Sequence, residues 1–446
     1  MNPALKSTAA GATPLAAAAA PPAAVRSFEG LFEAREPDAW SALRRRALER
    51  FVQLGLPTMR DESWRYTNLR PIANQSFGAA AADLGAQIQP DAGLVPAPAT
   101  VVLVNGRPIR AGSMPGVEVS TLRELSRRDP GLIARHLEPL SDAEEARWQL
   151  LNTALFEDGI YIRISGNIPE PVVILHVSTA LRPGTAAFPK VIIEAQPGAS
   201  ATVLEHHVQA GAEAPLTNGA TLLDLGPRAR LEHYRVFAAG PAAVHLDSLE
   251  VRQRQDSALR QFTVTLSGGL VRAALDAKLF EAGSRIDSFS LLVGRERRHV
   301  DCVNVVEHAA RNTTSAQTAR AIASGTSRVI FNSKVVVDAG AVQAESMQSS
   351  RGLLLSPSAE IDSRPQLEIH TDEVKCAHGA TIGRLDPNML FYLLSRGLDR
   401  ATAQSLLVYA FLGDVLTGMS VGSARAAIEN ALVAELPDSQ TLRNFR

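Results

Sequence analysis

A turn that recurs every 27 to 30 residues is the feature of this sequence that most constrains its fold. From about Asn152 onward, short runs rich in Val, Ile and Leu alternate with Gly, Pro, Asp and Ser for more than 200 residues. Each of six turns is followed by alternating residues, and these turns lie near Gly198, Gly226, Asp256, Gly283, Asn312 and Gly340. A fixed period of this size indicates structural repeats that stack on one another.

The composition of the repeats narrows the choice of architecture. A leucine-rich solenoid is excluded because its L-x-x-L-x-L signature is absent from the sequence. Strands without connecting helices leave a parallel β-helix or a β-sandwich, and the fixed period favours the β-helix. The sequence therefore predicts a mainly β fold with a β-helix core over residues 152–385. The tripeptide "LEH" occurs twice, at Glu205–His206 and Glu232–His233, and we interpret the two as stacked positions of successive repeats.

The regions on either side of the repeats have different patterns. Residues 1–24 are rich in Ala and Pro and are predicted to be a disordered tail. Residues 25–151 form a mixed, partly helical region, in which a helix over residues 37–55 begins with Asp38 as its N-cap. Residues 386–446 are predicted to be a helical domain, with Asp386 as N-cap of its first helix and further helices near 399–416 and 423–436.

Composition excludes several classes of function. The 45 basic and 46 acidic residues give a net charge of −1, which offers no basic surface for nucleic acid or an anionic membrane. No stretch of about 18 strongly apolar residues predicts a membrane span. Two cysteines, Cys302 and Cys376, cannot form a disulfide framework, which is typical of a reducing compartment. We expect a cytoplasmic protein.

Several common motifs of catalysis are missing from the sequence. It contains no G-x-x-x-x-G-K-[ST] phosphate loop, no H-E-x-x-H and no C-x-x-C. The chain is therefore not expected to hydrolyse ATP on a phosphate loop of its own, and we expect it not to be an enzyme.

The candidate site is the pair Cys376 and His378 in the stretch "EVKCAHGAT". In an extended strand, residues i and i+2 point to the same side, about 7 Å apart, so a thiolate and an imidazole could both bind iron or zinc. Two ligands do not complete a four-coordinate site, and the others would come from elsewhere in the chain or from a second protein. A cysteine nucleophile with its base, and a core cysteine beside a satisfied histidine, are the alternatives. Cys302 is interpreted as a core cysteine.

Four stretches of the chain resemble the SufD family of scaffold subunits in the SUF iron–sulfur cluster assembly system. They are "GLPTMRDESWRYTNL" at residues 55–69, "VNGR" at 104–107, "RPQLEIHTDEVKCAHGAT" at 364–381 and "FYLLSRGL" at 391–398. The resemblance covers nearly all of the chain after residue 24. It implies a right-handed parallel β-helix core, flanked by an N-terminal mixed region and a C-terminal helical domain.

The resemblance also implies partners and a role for the candidate site. A SufB-like scaffold would pair with the chain through the β-helix, and a SufC-like ABC ATPase, which hydrolyses the ATP, would bind the C-terminal helices. A transient iron–sulfur cluster shared with the SufB-like partner would form at their interface, with His378, beside Cys376, as the ligand from this chain. The paralogue SufB carries a Glu-His-Glu-Ala-Thr stretch where this chain reads "CAHGAT", with Gly379 in place of the second glutamate. The SufD assignment is therefore preferred.

Three questions stay open from the sequence. A purely structural scaffold that contributes no cluster ligand is a second function compatible with these residues. The involvement of a flavin is not decided by any motif. A homodimer of the isolated chain also stays open, because a long solenoid with an exposed side could pair with itself in the absence of a SufB-like partner.

Overall fold

The computed structural model describes residues 21–81, 99–140, 146–180, 182–211 and 213–435. The predicted Ala/Pro tail therefore lies outside the described residues up to residue 20, and the first helix begins at Ala23. None of the helices in the described ranges has the length and hydropathy that a membrane span needs.

The described part of the N-terminal region contains six helices, four short strands and one 3-10 turn. The helices are α1 Ala23–Glu33, α2 Ser41–Leu54, α3 Arg70–Ala73, α4 Leu122–Arg128, α5 Pro130–Leu137 and α6 Arg147–Leu155. The strands are β1 Gly78–Ala79, β2 Val101–Val104, β3 Arg107–Ala111 and β4 Val117–Thr121, and the 3-10 turn is Glu62–Trp64. Helix α2 starts three residues after the predicted N-cap Asp38, whose carboxylate accepts a hydrogen bond from the Trp40 amide at 3.0 Å. It ends before Gly55, as predicted.

Seventeen further strands of the described residues build the core. They are β5 Ile160–Ile164, β6 Val172–Ser178, β7 Thr185–Ala187, β8 Lys190–Ala195, β9 Ser200–Gln209, β10 Leu216–Leu225, β11 Arg230–Ala238, β12 Val244–Gln253, β13 Ala258–Ser267, β14 Leu270–Leu279, β15 Arg285–Gly294, β16 His299–His308, β17 Thr314–Ala323, β18 Arg328–Val337, β19 Ala344–Leu354, β20 Glu360–Ile369 and β21 Val374–Arg384. Pairing within this core is parallel: β5 pairs with β8 and β6 with β9, and from β8 onward the main paired strands are two apart in the chain. The result is a β-solenoid of about eight turns, so the predicted mainly β class and β-helix core are confirmed.

Two long sheets form the walls of the solenoid. Sheet one has the order β20-β18-β16-β14-β12-β10-β8-β5-β4, with β7 and β1 beside this path, and sheet two has the order β21-β19-β17-β15-β13-β11-β9-β6-β2-β3. The chain alternates between the two sheets, so that each pair of consecutive strands adds one turn. At the N-terminal end, β3 and β4 pair antiparallel with β2 and β5.

The recurring turns are corners where one residue adopts a positive φ. These residues are Gly198, Arg228, Asp256, Gly283, Asn312 and Gln343. Four of them coincide with the turns predicted from the sequence. In the other two turns, the left-handed residue is Arg228 or Gln343, with φ of 59° and 61°, and the nearby Gly226 is required for a different reason: a Cβ there would lie 2.9 Å from the carbonyl oxygen of Ala195.

The interpretation of the two "LEH" tripeptides as stacked positions is wrong. The tripeptides are 27 residues apart, whereas β9 and β11 pair with an offset of 30, so that Glu205 lies beside Arg235 and Glu232 beside Thr202. The spacing of the tripeptides is three residues shorter than the offset of the paired strands, and an odd shift places the two glutamates on opposite faces of sheet two. Glu205 therefore points into the solenoid, and its environment is different from that of Glu232.

Apolar side chains fill the interior and both outer faces. The interior cluster includes Ile174, Val203, Leu231 and Leu259, which alternate with outward-facing residues along their strands. The N-terminal helices cover the outer face of sheet one through a second cluster that contains Phe28, Phe51 and Trp148. A third cluster lies between the outer face of sheet two and the C-terminal helices. Burial of these faces is the main stabilising term of the fold.

The C-terminal helices are α7 Pro387–Ser395, α8 Arg400–Thr417 and α9 Gly422–Glu435. As predicted, Asp386 caps α7, since its carboxylate accepts a hydrogen bond from the Asn388 amide at 2.8 Å. Asp399 caps α8 in the same way through the Thr402 amide at 3.0 Å. Helices α8 and α9 pack against sheet two through Leu412, Val415 and Ile428. Residues 436–446 lie outside the described residues.

Candidate functional site

The last turn of the solenoid is its most accessible part. Strands β20 and β21 are the terminal strands of sheets one and two, and each pairs along its length with a single neighbour, β18 or β19. No residue of β20 or β21 is buried, whereas most of the residues in β16 and β18 are buried. The last turn therefore presents both side chains and unpaired strand edges to the surroundings.

Cys376 and His378 both lie on β21 in this last turn. The pairing of β21 with β19 is continuous, with Cys376 beside Ser346 and His378 beside Gln348. Cys376 is half-buried and packs against the interior apolar cluster, and His378 is exposed. Because alternate residues of a strand share one side, both side chains start from the interior side of the solenoid, and the imidazole lies at its open end.

His378 is the last residue of a row of polar side chains inside the solenoid. The row follows the register of sheet two from strand to strand, and its members are His233, Gln261, Ser288, Gln317, Gln348 and His378. All members before His378 are at most 2% exposed. This row was not predicted from the sequence, because it requires the register of six strands.

The two candidate ligands differ in their readiness to bind a metal ion. Burial raises the pKa of the Cys376 thiol above its ordinary value, so the thiol form is favoured and binding must release a proton. His378 is the more accessible of the two. In the described part of the chain, no third His, Cys, Asp or Glu ligand atom completes a metal group with this pair. The pair is therefore an incomplete site that needs ligands from outside the described residues.

Charged residues beside the pair are engaged with one another. Lys375 donates to Glu345 at 3.0 Å, and His370 Nε2 lies 3.1 Å from the carboxylate of Glu368, which also pairs with Lys334 at 2.8 Å. These groups are exposed, and each pair contributes little to stability. They give the last turn a mixed charge, in which His370, the residue directly after β20, is a second exposed imidazole.

Cys302 lies in the middle of the solenoid and is wholly buried. Its Sγ is 3.6 Å from Ser290 Oγ and 3.7 Å from Asn304 Oδ1, and burial raises its pKa to about 11. A thiol in this state is neither a nucleophile nor a ready metal ligand. The prediction that Cys302 is a core cysteine is confirmed. Both cysteines are free thiols.

A second group with metal-binding chemistry was missed by the sequence analysis. His176, Glu205 and His207 lie buried in the first turns of the solenoid, and their ligand atoms are all within 4.8 Å of one another. Glu205 belongs to the first of the two "LEH" tripeptides, which the sequence analysis interprets as stacked positions of successive repeats. The signal that could have found the group is the pairing of β6 with β9, which places His176 directly beside His207.

The C-terminal helices offer an apolar surface on α7. Met389, Phe391 and Tyr392 are 59%, 72% and 56% exposed, while Leu390 is buried. Large apolar side chains that are exposed as a group are typical of a surface that binds another protein. Leu390 is the buried residue of this helix, so only one side of α7 packs against the rest of the chain.

Comparison with known proteins finds two matching family descriptions. "SUF system FeS cluster assembly, SufBD core domain" matches residues 176–411, and "SufBD protein N-terminal region" matches residues 26–174. The iron–sulfur cluster assembly protein SufD of Escherichia coli is 28% identical over 408 residues, which cover 88% of this chain and 92% of that protein. A SufBD family protein of Synechocystis is 25% identical over 410 residues, or 87% and 89% of the two chains. SufD of Bacillus subtilis is 24% identical over 296 residues, or 65% and 67%.

Proposed function

Because the chain belongs to the SufBD family of the SUF iron–sulfur cluster assembly system, we propose that it is a SufD-type scaffold subunit that holds a nascent cluster at the last turn of its solenoid. In this proposal the cluster is cargo that forms between this chain and a SufB-like scaffold, and His378 is the ligand from this chain. The observation that carries the proposal is the position of His378: it is exposed on the terminal strand, beside a thiol, in a site that is incomplete within the described residues.

The division of labour between the two ligands follows from their environments. The Cys376 thiol packs against the interior cluster and its pKa is raised, so a thiolate forms there at a cost in free energy. A neutral imidazole at an exposed position binds iron without that cost. His378 is therefore the main ligand and Cys376 an auxiliary one, which releases its proton only when iron is bound.

The SufB-like partner pairs with the free edges of the last turn. Strands β20 and β21 each leave one edge without a strand partner among the described residues, and an open edge is a template for a strand from another chain. Ile369 and Ile382 are 40% and 44% exposed on these two strands and supply apolar area to such an interface. Strand addition here would bring ligands of the partner close to His378 and complete the site.

The SufC-like ATPase binds the C-terminal helices, and α7 provides the contact. Its exposed Met389, Phe391 and Tyr392 are the apolar side chains that a partner helix or groove would cover. ATP hydrolysis belongs to that partner, and this chain transmits the resulting movement to the last turn. Strand β21 ends at Arg384 and α7 begins at Pro387, so only two residues separate the ATPase contact from the strand that carries His378.

A reconstitution experiment tests the ligand role. The three-protein complex is co-expressed, and iron and sulfide are added anaerobically to the wild type and to His378→Ala, with visible absorption and iron and sulfide counts per complex as readout. We expect the variant to assemble into an intact complex and to lose the cluster, and Cys376→Ala to lose less of it. His370→Ala, which removes the exposed imidazole directly after β20, and Cys302→Ser, which changes the buried thiol, serve as matched controls and should retain the cluster.

The alternative, a structural scaffold without a ligand, predicts the opposite result. A normal cluster yield in His378→Ala would reject the ligand role and leave the chain with a structural one. An equal or greater loss in Cys376→Ala would assign the main role to the thiol.

A pair of variants tests the two docking surfaces against each other. Ile382→Asp places a charge on the edge of β21 and should release the SufB-like partner while the ATPase stays bound. Phe391→Asp places a charge on α7 and should release the ATPase while the scaffold partner stays bound. Co-purification through an affinity tag on this chain measures both losses, and Met59→Asp, at a 52% exposed side chain in the N-terminal region, is the control. Retention of both partners by either variant would contradict the assignment of that surface.

A further inference from the structure

The first turns of the solenoid enclose a carboxylate surrounded by imidazoles. Glu205 is wholly buried, and its two oxygens lie 2.9 Å from His176 Nε2 and 2.8 Å from His233 Nε2. Thr221 Oγ1 donates a third hydrogen bond to the same carboxylate at 3.0 Å. We call His176, Glu205, His207, His233 and His245 the inner histidine cluster. The cluster gathers four of the ten histidines of the chain in one buried space.

Hydrogen bonding leaves two residues of this cluster unexplained, His245 and His207, and His207 is the one whose ligand atom lies close to those of His176 and Glu205. Its side chain is buried, and neither ring nitrogen has a hydrogen-bond partner within the described residues. The ring is stacked between His176, at a centroid distance of 4.2 Å, and Phe237, at 4.6 Å. Buried polar groups in native proteins are nearly always satisfied, so a buried imidazole with two free nitrogens indicates a bound water or ion.

A second stack in the same sheet shows that packing does not require a histidine. Tyr234, Phe262 and Phe289 stack on the outer face at centroid distances of 4.8 and 4.7 Å. A phenylalanine at position 207 would continue the stack onto Phe237 equally well and would bury no free nitrogen. The sequence nevertheless has an imidazole there, beside a carboxylate.

We propose that His176, Glu205 and His207 bind one divalent first-row transition-metal ion inside the first turns of the solenoid. Their ligand atoms lie within 4.8 Å of one another, so small side-chain rotations bring all three onto one ion. Two imidazoles and a carboxylate are a ligand set that suits zinc and ferrous iron. The site is independent of the proposed role of His378, which lies at the other end of the solenoid.

The electrostatics of the enclosed space favour a cation. Burial lowers the pKa of His207 well below its ordinary value, which keeps the imidazole in the neutral form that binds metals. Against the effect of burial, hydrogen bonds from His176 and His233 hold the pKa of the Glu205 carboxyl well below its ordinary value, so the group is a carboxylate. The nearby cation Arg235 is held by Asp247 at 2.9 Å and by Thr263 at 3.2 Å. A divalent ion would therefore meet a carboxylate whose partners are the hydrogen-bonding groups of His176, His233 and Thr221 and not the Arg235 guanidinium.

The ion would act on folding and rigidity. His176 is on β6, and Glu205 and His207 are on β9, so one ion joins two neighbouring strands of sheet two. Because the three side chains are wholly enclosed, the ion enters while the first turns form, and its binding free energy contributes to their stability. Chelators should act slowly on the folded chain and strongly on the refolding chain.

Cobalt(II) is the probe that tests this site, because its visible absorption reports both binding and coordination number. The full chain carries Cys376→Ala and His378→Ala, which removes the ligands of the last turn. It is unfolded with a chelator, refolded with or without cobalt, and freed of excess ion. We expect one cobalt per chain, a visible band of a four- or five-coordinate ion, and a higher melting temperature. Zinc or ferrous iron that is present during refolding should compete with cobalt and lower the amount of cobalt bound. Refolded chain without cobalt, or cobalt binding that neither competing ion lowers, would overturn the proposal.

Two neighbouring histidines on β9 provide a matched pair of variants. His207→Phe keeps the ring stack and removes the ligand, so cobalt affinity should fall by about 100-fold or more. His206→Phe changes the adjacent buried histidine, which faces the other side of the strand, and should bind as the parent does. Equal binding by His207→Phe and the parent would overturn the proposal. If His207→Phe fails to fold, Glu205→Gln replaces it: loss of cobalt binding then supports the site, and retention rejects it.

Discussion

The first and last turns of the solenoid carry the same type of side chain in opposite environments. His233 and His378 are the two ends of one row in sheet two, and five strand pairings connect them in register. His233 is wholly buried and lies 2.8 Å from Glu205, whereas His378 is exposed on a terminal strand. The strand register thus fixes the position of each imidazole along the row. Burial at each end of the solenoid then determines whether the imidazole is held by a carboxylate in the interior or is available to a partner.

The difference has a physical origin in how the two ends are closed. At the first turns, the antiparallel strands β3 and β4 extend the sheets, and Met114 and Val119 pack against the interior cluster. At the last turn, the residues of β20 and β21 are half-buried or exposed. A closed end permits charges only where they are paired, and an open end leaves ligands available for a partner.

The largest effect should come from removing the buried carboxylate. Glu205→Ala leaves three buried partners, His176, His233 and Thr221, without their acceptor. We expect a loss of about 3–5 kcal/mol in the free energy of unfolding, which is the usual cost of breaking a buried network by removing one partner. His378→Ala should change it by less than about 0.5 kcal/mol, because the side chain is exposed.

Urea titration in a buffer that contains chelator measures both variants. A chelator is needed because a bound ion would add its own contribution to the loss at Glu205. Equal stability of the two variants would break the comparison, since the ends of the solenoid would then not differ in the way that their burial indicates.

The periodic part of the fold could be predicted from the sequence, because each turn of a solenoid leaves the same local signal. Corners at Gly198, Asp256, Gly283 and Asn312 were found this way, as was the cap at Asp386. These features depend on residues that are close in the chain. Local chemistry therefore sufficed for them.

The register between turns could not be predicted, because it depends on the length of each corner. In the corner before β11, the left-handed residue is Arg228, whereas the sequence predicted a turn at Gly226. The 30-residue offset between β9 and β11 means that the two "LEH" tripeptides, which are 27 residues apart, do not lie beside each other. For the same reason the sequence did not reveal that His176 lies beside His207. The candidate pair Cys376 and His378 was found because both members lie within one strand, but the exposure of that strand depends on the whole stack.

A buried histidine in the middle of the solenoid sharpens the comparison through pH. His308 is buried, with Nδ1 2.7 Å from Thr313 Oγ1 and Nε2 2.8 Å from Ser315 Oγ, and burial lowers its pKa to about 4. The unfolded chain binds a proton at this residue below a pKa of about 6.5, whereas the folded chain does not until about pH 4. The stability is therefore fully present above pH 6.5 and is lost as the pH falls towards 4.

The expected contribution of His308 is a loss of about 2 kcal/mol between pH 7 and pH 5, from the difference of its two pKa values. His308→Gln removes this group, so the variant should lose about 2 kcal/mol less than the wild type over the same interval, while its stability at pH 7 is lower because one of the two hydrogen bonds is weakened. Urea titrations at both pH values measure the difference. His378→Ala is the control for an exposed imidazole and should keep the full acid loss of the wild type. If His308→Gln also kept that loss, the acid sensitivity would lie outside the buried mid-solenoid histidine, and burial alone would not explain how the imidazoles of this chain differ.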